Sequence, residues 1–555
     1  MAKLRAREQL AVWRGVYPAP CQAACPVHTD ARGYVTLVGQ GRFAEAYRAA
    51  REPNPLAAIC GRACSAPCED VCTRGEFDRP VAIRQLKRFL TDAFDSRPNG
   101  DSRPAASGRQ VAIVGAGPAG LAAAQDLARR GHAVTVYDAA PEPGGTAALG
   151  VPRFRLPSEA IQQDVQGIEA LGVRIKLGVR VGEDVSLDEL RQQHDAVFLA
   201  AGAMRPNALP VAGARLRGIV QALAYLEEAN LGHRPDTGRQ VAVIGGGYTA
   251  MDAARTALRL GAERVTVLYR RTRRETEVHE DELRATLKEG VHIEYLVSPV
   301  EIADDSAGRA AAVVCVRNQL GDPDESGRPR PLPISGSEFR FPADMVILAV
   351  GQEPDAANLD AAWQALLRQV DAETQMTPIP GLFAGGDFVS GPTTIIEAIR
   401  SGQAAAAAID AFLRPSDAAA ATEAEVWPLD VTARPAGQAG NGSRPDRPSA
   451  EGRLHLDVEV EATLGREAAV TEGLRCLYCG LLPSIVIEDC TLCHACAEVC
   501  PVNCIYRVAL EEETGAVRPA AHFGEAVSYV IDSEVCIRCG RCVKACPVGA
   551  IVVEV

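Results

Sequence analysis

Two stretches of the chain share one hydrophobic rhythm. In Gln110–Gly145 an apolar run (Val111–Val114) enters a glycine-rich turn, an Ala/Leu-rich run follows, and a second apolar run, Ala133–Tyr137, ends at Asp138. The pattern predicts strand, turn, helix, strand. It recurs from Gln240, where Val241–Ile244 leads into Gly245-Gly246-Gly247 and a second apolar run stops at Tyr269, before Arg270 and Arg271. The apolar stretches Ala196–Gly202 and Ala343–Gly351 read as crossings between the two units. Leu382–Asp387 reads as a strand ending in Gly-Gly-Asp, with a helix over Thr393–Gln403. Nearer the amino terminus, Arg42–Arg51 and Val81–Phe89 have the spacing of amphipathic helices. Asp95–Gly108 and Ser416–Arg453 are rich in Pro, Gly, Ala and Ser without a period, so they are expected to be linkers, the second a tether.

Each turn carries the residues a dinucleotide demands. Gly115 permits the tight turn, Gly117 lets the backbone approach a pyrophosphate, and Gly120 lets the helix opened by Pro118 and Ala119 pack on the strand. Asp138 can accept from a ribose hydroxyl, which suits FAD. In the second copy Ala250 takes the third glycine's place after Gly245 and Gly247. Arg270 and Arg271, with Arg273 and Arg274 behind them, suit a 2′-phosphate. The second site therefore reads as NADP(H). NAD(H) stays open, as does a solvated basic face.

Composition narrows the class. The chain has 555 residues, enough for three or four domains, and its 47% hydrophobic content contains no uninterrupted apolar run of membrane-spanning length. A net charge of −13 disfavours nucleic acid. The basic first residues lack the apolar core of a secretory signal, so a cytoplasmic location is expected. There are 18 cysteines, and their short, clustered spacings read as metal ligands rather than disulfides.

Six of them precede the first glycine turn: Cys21, Cys25, Cys60, Cys64, Cys68 and Cys72. Soft thiolates in this number suit iron–sulfur clusters, with zinc as the alternative. Pro67 and the small residues around it suggest that Cys60–Cys72 wraps as loops. Near the carboxy terminus, Cys490, Cys493, Cys496 and Cys500 are followed by Cys536, Cys539, Cys542 and Cys546 in the bacterial two-cluster ferredoxin spacing. There the fourth cysteine of each run serves the other cluster. One quartet is therefore Cys490, Cys493, Cys496 and Cys546, and the other Cys500, Cys536, Cys539 and Cys542. Cys504, at the place Ala550 holds in the second half, and Cys315 are expected to be packing residues. No nucleophile or acid–base constellation stands out; His132 and His194 read as packing or surface positions.

The order of these parts resembles the small subunit of glutamate synthase and its relatives, among them the amino-terminal half of dihydropyrimidine dehydrogenase and the large subunit of transhydrogenase-type ferredoxin:NADP oxidoreductases. The resemblance spans about residues 20 to 410. It rests on CQAACPVHTD, NPLAAICGRAC, CEDVC, VAIRQLKRF, VGAGPAG, PGG with GVPRFRLP, GGGYTAMDAA, YRRTRRE and FAGGDFVSGPTTIIEAI. It implies FAD held by the first turn with Asp138, Gly145, Gly386, Asp387 and Thr394. It implies NADPH held by Gly245, Gly247, Tyr248, Thr249, Ala250, Arg270 and Arg271, and two amino-terminal [4Fe-4S] clusters. Two such clusters want about eight ligands. The Arg-Cys-Leu-x-Cys stretch usual ahead of the first cysteines is missing there and appears instead at Arg475–Cys479. Cys476 and Cys479 are therefore expected to complete a cluster with Cys21 and Cys72, leaving Cys25, Cys60, Cys64 and Cys68 for the other. A six-cysteine arrangement with a Gln or Glu ligand is the alternative.

The expected architecture is multidomain α/β. It comprises an α-helical [4Fe-4S] domain (1–105), an FAD domain (106–205 with 345–413), an NAD(P)H domain (206–344), a linker (414–472) and a 2[4Fe-4S] ferredoxin domain (473–555). The favoured function is an electron-transfer flavoprotein subunit serving a catalytic oxidoreductase partner in a hetero-oligomer, in either direction. A self-contained NADPH:ferredoxin oxidoreductase, including one that divides electrons between acceptors, and a non-enzymatic cluster-assembly or sensing module are the alternatives.

Overall fold

The computed structural model describes residues 19–94, 105–324, 327–354, 369–414, 455–480, 482–510, 517–520, 523–533 and 535–554. The tether expected at Ser416–Arg453 and most of the linker expected at Asp95–Gly108 lie outside the described residues.

The amino-terminal domain is helical. Helix α1 (Ala31–Gly39) opens with the Asp30 carboxylate accepting from the Gly33 N–H at 3.0 Å. It packs with Phe43–Arg51 and with α3 (Ile83–Ala93), whose Leu86 and Leu90 join Tyr34, Leu37 and Val38 in one core, and α2 (Ala57–Ala63) packs on α3. The amphipathic stretch before α2 is helical over Phe43–Arg51. The loops expected over Cys60–Cys72 are instead partly helical. Cys60 lies within α2, Cys64 closes its end, and Pro67 starts the single turn Pro67–Asp70 that carries Cys68. Pro67 stands at the first helical position, where its missing N–H costs nothing.

In the next domain β1 (Gln110–Val114), α4 (Pro118–Arg129) and β2 (Ala133–Tyr137) form the first predicted unit. The parallel sheet runs Leu382–Ala384, Ala196–Leu199, β1, β2, Arg174–Lys176. The third domain repeats this with β3 (Gln240–Ile244), α5 (Tyr248–Arg259) and β4 (Arg264–Tyr269), in the order Ile219–Gln221, Met345–Leu348, β3, β4, His292–Tyr295. The stretches read as crossings are interior strands of their own sheets. The chain crosses just beyond each, where Arg205–Pro206 pairs antiparallel with Gln352–Glu353. An antiparallel sheet follows His292–Tyr295. Its long strand β5 (Ala310–Pro323) pairs with Val297–Asp304, Phe339–Pro342 and β6 (Pro329–Pro333). Cys315 is fully buried in β5, as a packing residue should be.

The chain then returns to its beginning. Glu459 pairs with Arg62 at 2.9 Å and Arg88 at 2.8 Å, Glu461 with Arg84 at 3.1 Å, and the Val460 N–H donates to the Phe154 carbonyl at 2.9 Å. Helix α6 (Arg466–Gly473) places Ala469, with Leu464 before it, in the core built by α1 and α3. Fully buried Glu472 accepts from the Ala82 N–H at 2.8 Å and pairs with Arg475. The last domain pairs Leu482–Ile485 with Ile551–Glu554, and Ile505–Leu510 with Ser528–Ile531. The expected fold class is the one observed.

Candidate flavin, nucleotide and thiol sites

A cleft lies over the first glycine turn, with Gly115, Gly117, Pro118, Ala119, Asp138 and Gly145 in its wall. Gly115 has φ +110°, and a Cβ there would fall 2.2 Å from the Ala200 carbonyl oxygen. Its twin Gly245, at φ +149°, faces Ala349 in the same way at 2.3 Å. Gly120 is outside the cleft; a Cβ would sit 1.9 Å from the Gly115 carbonyl oxygen, so its role is helix packing, as read from the sequence. The Asp138 oxygens accept from the N–H groups of Ala116 at 2.6 Å and Ala140 at 2.7 Å. Burial raises its pKa, and those two donors hold the increase down.

The far wall is the start of helix Ile395–Leu413. Thr394 caps it reciprocally with Glu397, so the positive helix end faces the cleft. Asp387, also in the wall, accepts from the Thr393 N–H at 3.0 Å and hydroxyl at 2.6 Å, and burial raises its pKa. Gly386 lies just behind, its N–H donating to the Ser401 hydroxyl at 2.6 Å. A cleft with a glycine turn and two helix N-termini around half-buried carboxylates fits FAD.

At the second turn, Gly247 precedes α5 with open space where a Cβ would stand. Tyr248 and Thr249 reach the flavin cleft, whereas Ala250 is fully buried within α5. Arg270 is exposed at the end of β4. Arg271 is not beside it in solvent. It is buried, its Nε donating to the Pro329 carbonyl at 2.8 Å and its Nη2 pairing with Asp324 at 2.5 Å. It therefore anchors the β5–β6 hairpin, a role its sequence position does not reveal.

Sequence reasoning missed the residues that join the two nucleotide units. Arg155, from the GVPRFRLP stretch, donates to both oxygens of Asp252 in α5 at 2.7 Å, and its guanidinium lies 5.5 Å from the Tyr248 ring centre. All three line the flavin cleft. Nothing within either motif marks the pair, because the partners are 97 residues apart.

The predicted cysteine quartets are brought together in space. Cys25 and Cys60 are buried against the flavin-domain core, with Cys64 packed on it. Burial first, then the charge of Glu69, and then those of nearby Cys64 and Cys25, raise the Cys68 pKa well above the usual thiol range. Ala63 and Ser65, the neighbours of Cys64, line the flavin cleft itself. Cys21, Cys72, Cys476 and Cys479 line one apolar cavity. Burial, then the charges of Cys479 and Cys72, push Cys21 up to about 12; such thiols become thiolates at neutral pH only around a metal centre. Cys490, Cys493, Cys496 and Cys546 line a third cavity, and Cys500, Cys536, Cys539 and Cys542 a fourth. Cys504 is buried, as expected, and its sulfur is 3.4 Å from that of Cys500.

The loop Cys476–Cys479 has the backbone of a ferredoxin loop. Tyr478, Leu492 and Arg538 each stand two residues after the first cysteine of a Cys-x2-Cys, and all three are left-handed, with φ of 54°, 56° and 55°. Among the described residues no three His, Cys, Asp or Glu side chains converge closely enough to hold a single ion. Also among the described residues, no helix is long and apolar enough to cross a membrane.

Comparison with known proteins agrees with this arrangement. The pyridine nucleotide-disulphide oxidoreductase family matches residues 109–402. Dihydropyrimidine dehydrogenase domain II, 4Fe-4S cluster, matches 15–98, and the 4Fe-4S dicluster domain matches 489–550. The NADP(+)-dependent formate dehydrogenase subunit beta of Moorella thermoacetica is 40% identical over 499 residues, covering 83% of this chain and 70% of that protein. The NADPH-Fe(3+) oxidoreductase subunit beta of Geobacter sulfurreducens is 38% identical over 508 residues, covering 83% and 75%. The small chain of Escherichia coli NADPH glutamate synthase is 34% identical over 409 residues, covering 70% and 87%. With its paired nucleotide units flanked at both ends by [4Fe-4S] domains, the chain belongs to the pyridine nucleotide-disulphide oxidoreductase family and is an FAD-dependent oxidoreductase.

Proposed function

We propose that the chain is the pyridine-nucleotide-facing electron-transfer subunit of a hetero-oligomeric oxidoreductase, specific for NADPH and serving a separate catalytic subunit. One observation carries the reading: the quartets form a continuous series from the flavin cleft to the surface. Ala63 and Ser65 join the cleft to Cys25, Cys60, Cys64 and Cys68. Tyr34, fully buried, stands among Cys68, Cys25 and Cys21 and so bridges to the second quartet. In that quartet the Cys479 sulfur lies 3.3 Å from the Cys539 carbonyl oxygen, at the third. The fourth ends the series at exposed Cys493.

When bound, FAD exchanges a hydride with a nicotinamide and single electrons with [4Fe-4S] clusters, whose potentials the surrounding protein sets. The chain's own residues give that chemistry an address. Asp138, Gly117 and the helix start at Thr394 fix one nucleotide. Gly247 and Arg270 present the other, and Arg155 with Asp252 locks the two units in register. Relatives named subunit beta or small chain support a catalytic partner.

Anaerobic purification from the native host tests this. A tightly bound larger oxidoreductase subunit, together with NADPH-driven dye reduction by the isolated chain, is expected. A chain that reduces no dye with either nicotinamide contradicts the reading.

A further inference from the structure

We propose that Arg328, carried to the end of β4 by the β5–β6 hairpin, is the second guanidinium of the NADP 2′-phosphate site, in the place that Arg271 does not take. The inference rests on the NADPH reading above and adds the residue that makes the site selective. The position after the second strand of a dinucleotide unit lies beside the adenine ribose, where arginines select a 2′-phosphate. Arg270 holds that position. It is exposed, and among the described residues its guanidinium has no hydrogen-bond or ion-pair partner.

Arg271 cannot join it without leaving a buried site in which the Pro329 carbonyl and Asp324 already use its guanidinium. Those same contacts fix the hairpin tip against β4. The tip is closed by the Asp324 N–H donating to the Arg328 carbonyl at 2.8 Å, so Arg328 stands between the two residues that Arg271 grips. Burial first, and then the charges of Arg271 and Arg328, lower the pKa of Arg270, which places all three cations in one neighbourhood. Tyr269 feels Arg271 and Arg328 as well, and its ring covers Gly246 of the nucleotide turn, where a Cβ would come within 2.2 Å of it.

Charge balance gives Arg328 its task. Asp324 pairs with Arg271 and Glu277 with Arg328, while Arg270 has no ion pair among the described residues. A 2′-phosphate brings close to two negative charges. Glu277 is 66% exposed, so its bond to Arg328 is a surface pair of little worth that a dianion can displace. A bidentate guanidinium also discriminates by shape, because the 2′-hydroxyl of NADH offers no matching fork.

The test is calorimetric binding of adenosine 2′,5′-bisphosphate and of 5′-AMP to the anaerobic holoprotein and its variants. The wild type is expected to prefer the bisphosphate. Arg328→Ala should lose roughly tenfold or more of that preference, as for one charge-assisted hydrogen bond, with 5′-AMP affinity and flavin content unchanged. Arg328→Lys should restore part of it, and Arg284→Ala, which removes an exposed cation on the helix Glu280–Lys288, should leave it intact. An Arg328→Ala protein that discriminates like the wild type overturns the assignment while leaving the NADPH reading standing. So does an equal loss in Arg284→Ala, which would mean a diffuse field. A wild type that binds both ligands equally overturns both.

Discussion

The sulfur of Cys479 stands 3.3 Å from the carbonyl oxygen of Cys539, although the two residues are 60 positions apart. Around that contact the Gly480 N–H donates to the Arg538 carbonyl at 2.9 Å, and Arg541 pairs with Glu76. The carboxy-terminal domain is thereby seated on the amino-terminal one at the point where their cysteine quartets meet. The Arg475–Cys479 stretch belongs to both: its sulfurs face Cys21 and Cys72, and its backbone touches the ferredoxin fold.

Iron content tests the shared quartet. Cys476→Ser combined with Cys479→Ser should lower iron from about sixteen to about twelve atoms per chain, four per cluster. FAD and nicotinamide-dependent dye reduction should remain, because the flavin cleft and Cys64 are untouched. An unchanged iron count would exclude these ligands.

Arg155→Ala should be costly. It leaves the Asp252 carboxylate, 4% exposed, without the Nη1 that donates to both its oxygens, a loss of about 3–5 kcal/mol for a broken buried pair. Thermal unfolding should show the drop, and hydride transfer should slow because Tyr248 loses its neighbour. Replacing both partners, Arg155→Met with Asp252→Leu, should recover much of the stability.

Asp164 predicts a pH dependence. Fully buried in the flavin domain, it accepts from the N–H groups of Ala58 at 3.3 Å and Ile59 at 3.0 Å, capping α2 of the cluster domain. Burial raises its pKa to about 6 against the opposing pull of Arg51. An unfolded aspartate titrates near 3.9, so between about 4 and 6 the folded state holds more protons. Its contribution to stability is full below that window and is lost as pH rises through about 6. Unfolding curves of the wild type and Asp164→Asn should diverge across this range and run parallel above it. Parallel curves throughout would show that Asp164 does not titrate there.

Much of this organisation is legible in the sequence because the constraint is local. Gly115 and Gly245 each answer to a carbonyl about 2 Å from where a Cβ would stand, and the ferredoxin spacing fixes which cysteines face each other. The displaced Arg475–Cys479 stretch was legible because a pattern missing at one end appeared at the other. What escaped depends on distant partners. Glu459 and Glu461 continue a tether-like composition yet bind Arg62, Arg84 and Arg88 some 370 to 400 residues earlier. Arg271 resembles Arg270 in sequence and differs only because the hairpin from β5 reaches it. Pro67 suggested a loop and instead began a helical turn, since a proline at the first position and one in the interior look alike in a short run.

The most direct test of the central claim is electron paramagnetic resonance of the anaerobic holoprotein, frozen soon after NADPH is added. In the wild type, flavin bleaching should be followed by signals from reduced clusters, including the pair in the ferredoxin domain. In the chain carrying Cys476→Ser and Cys479→Ser the flavin should still bleach while the ferredoxin pair stays oxidised on the same timescale. Equal reduction of that pair in both proteins would contradict a path running through Cys479 to Cys539.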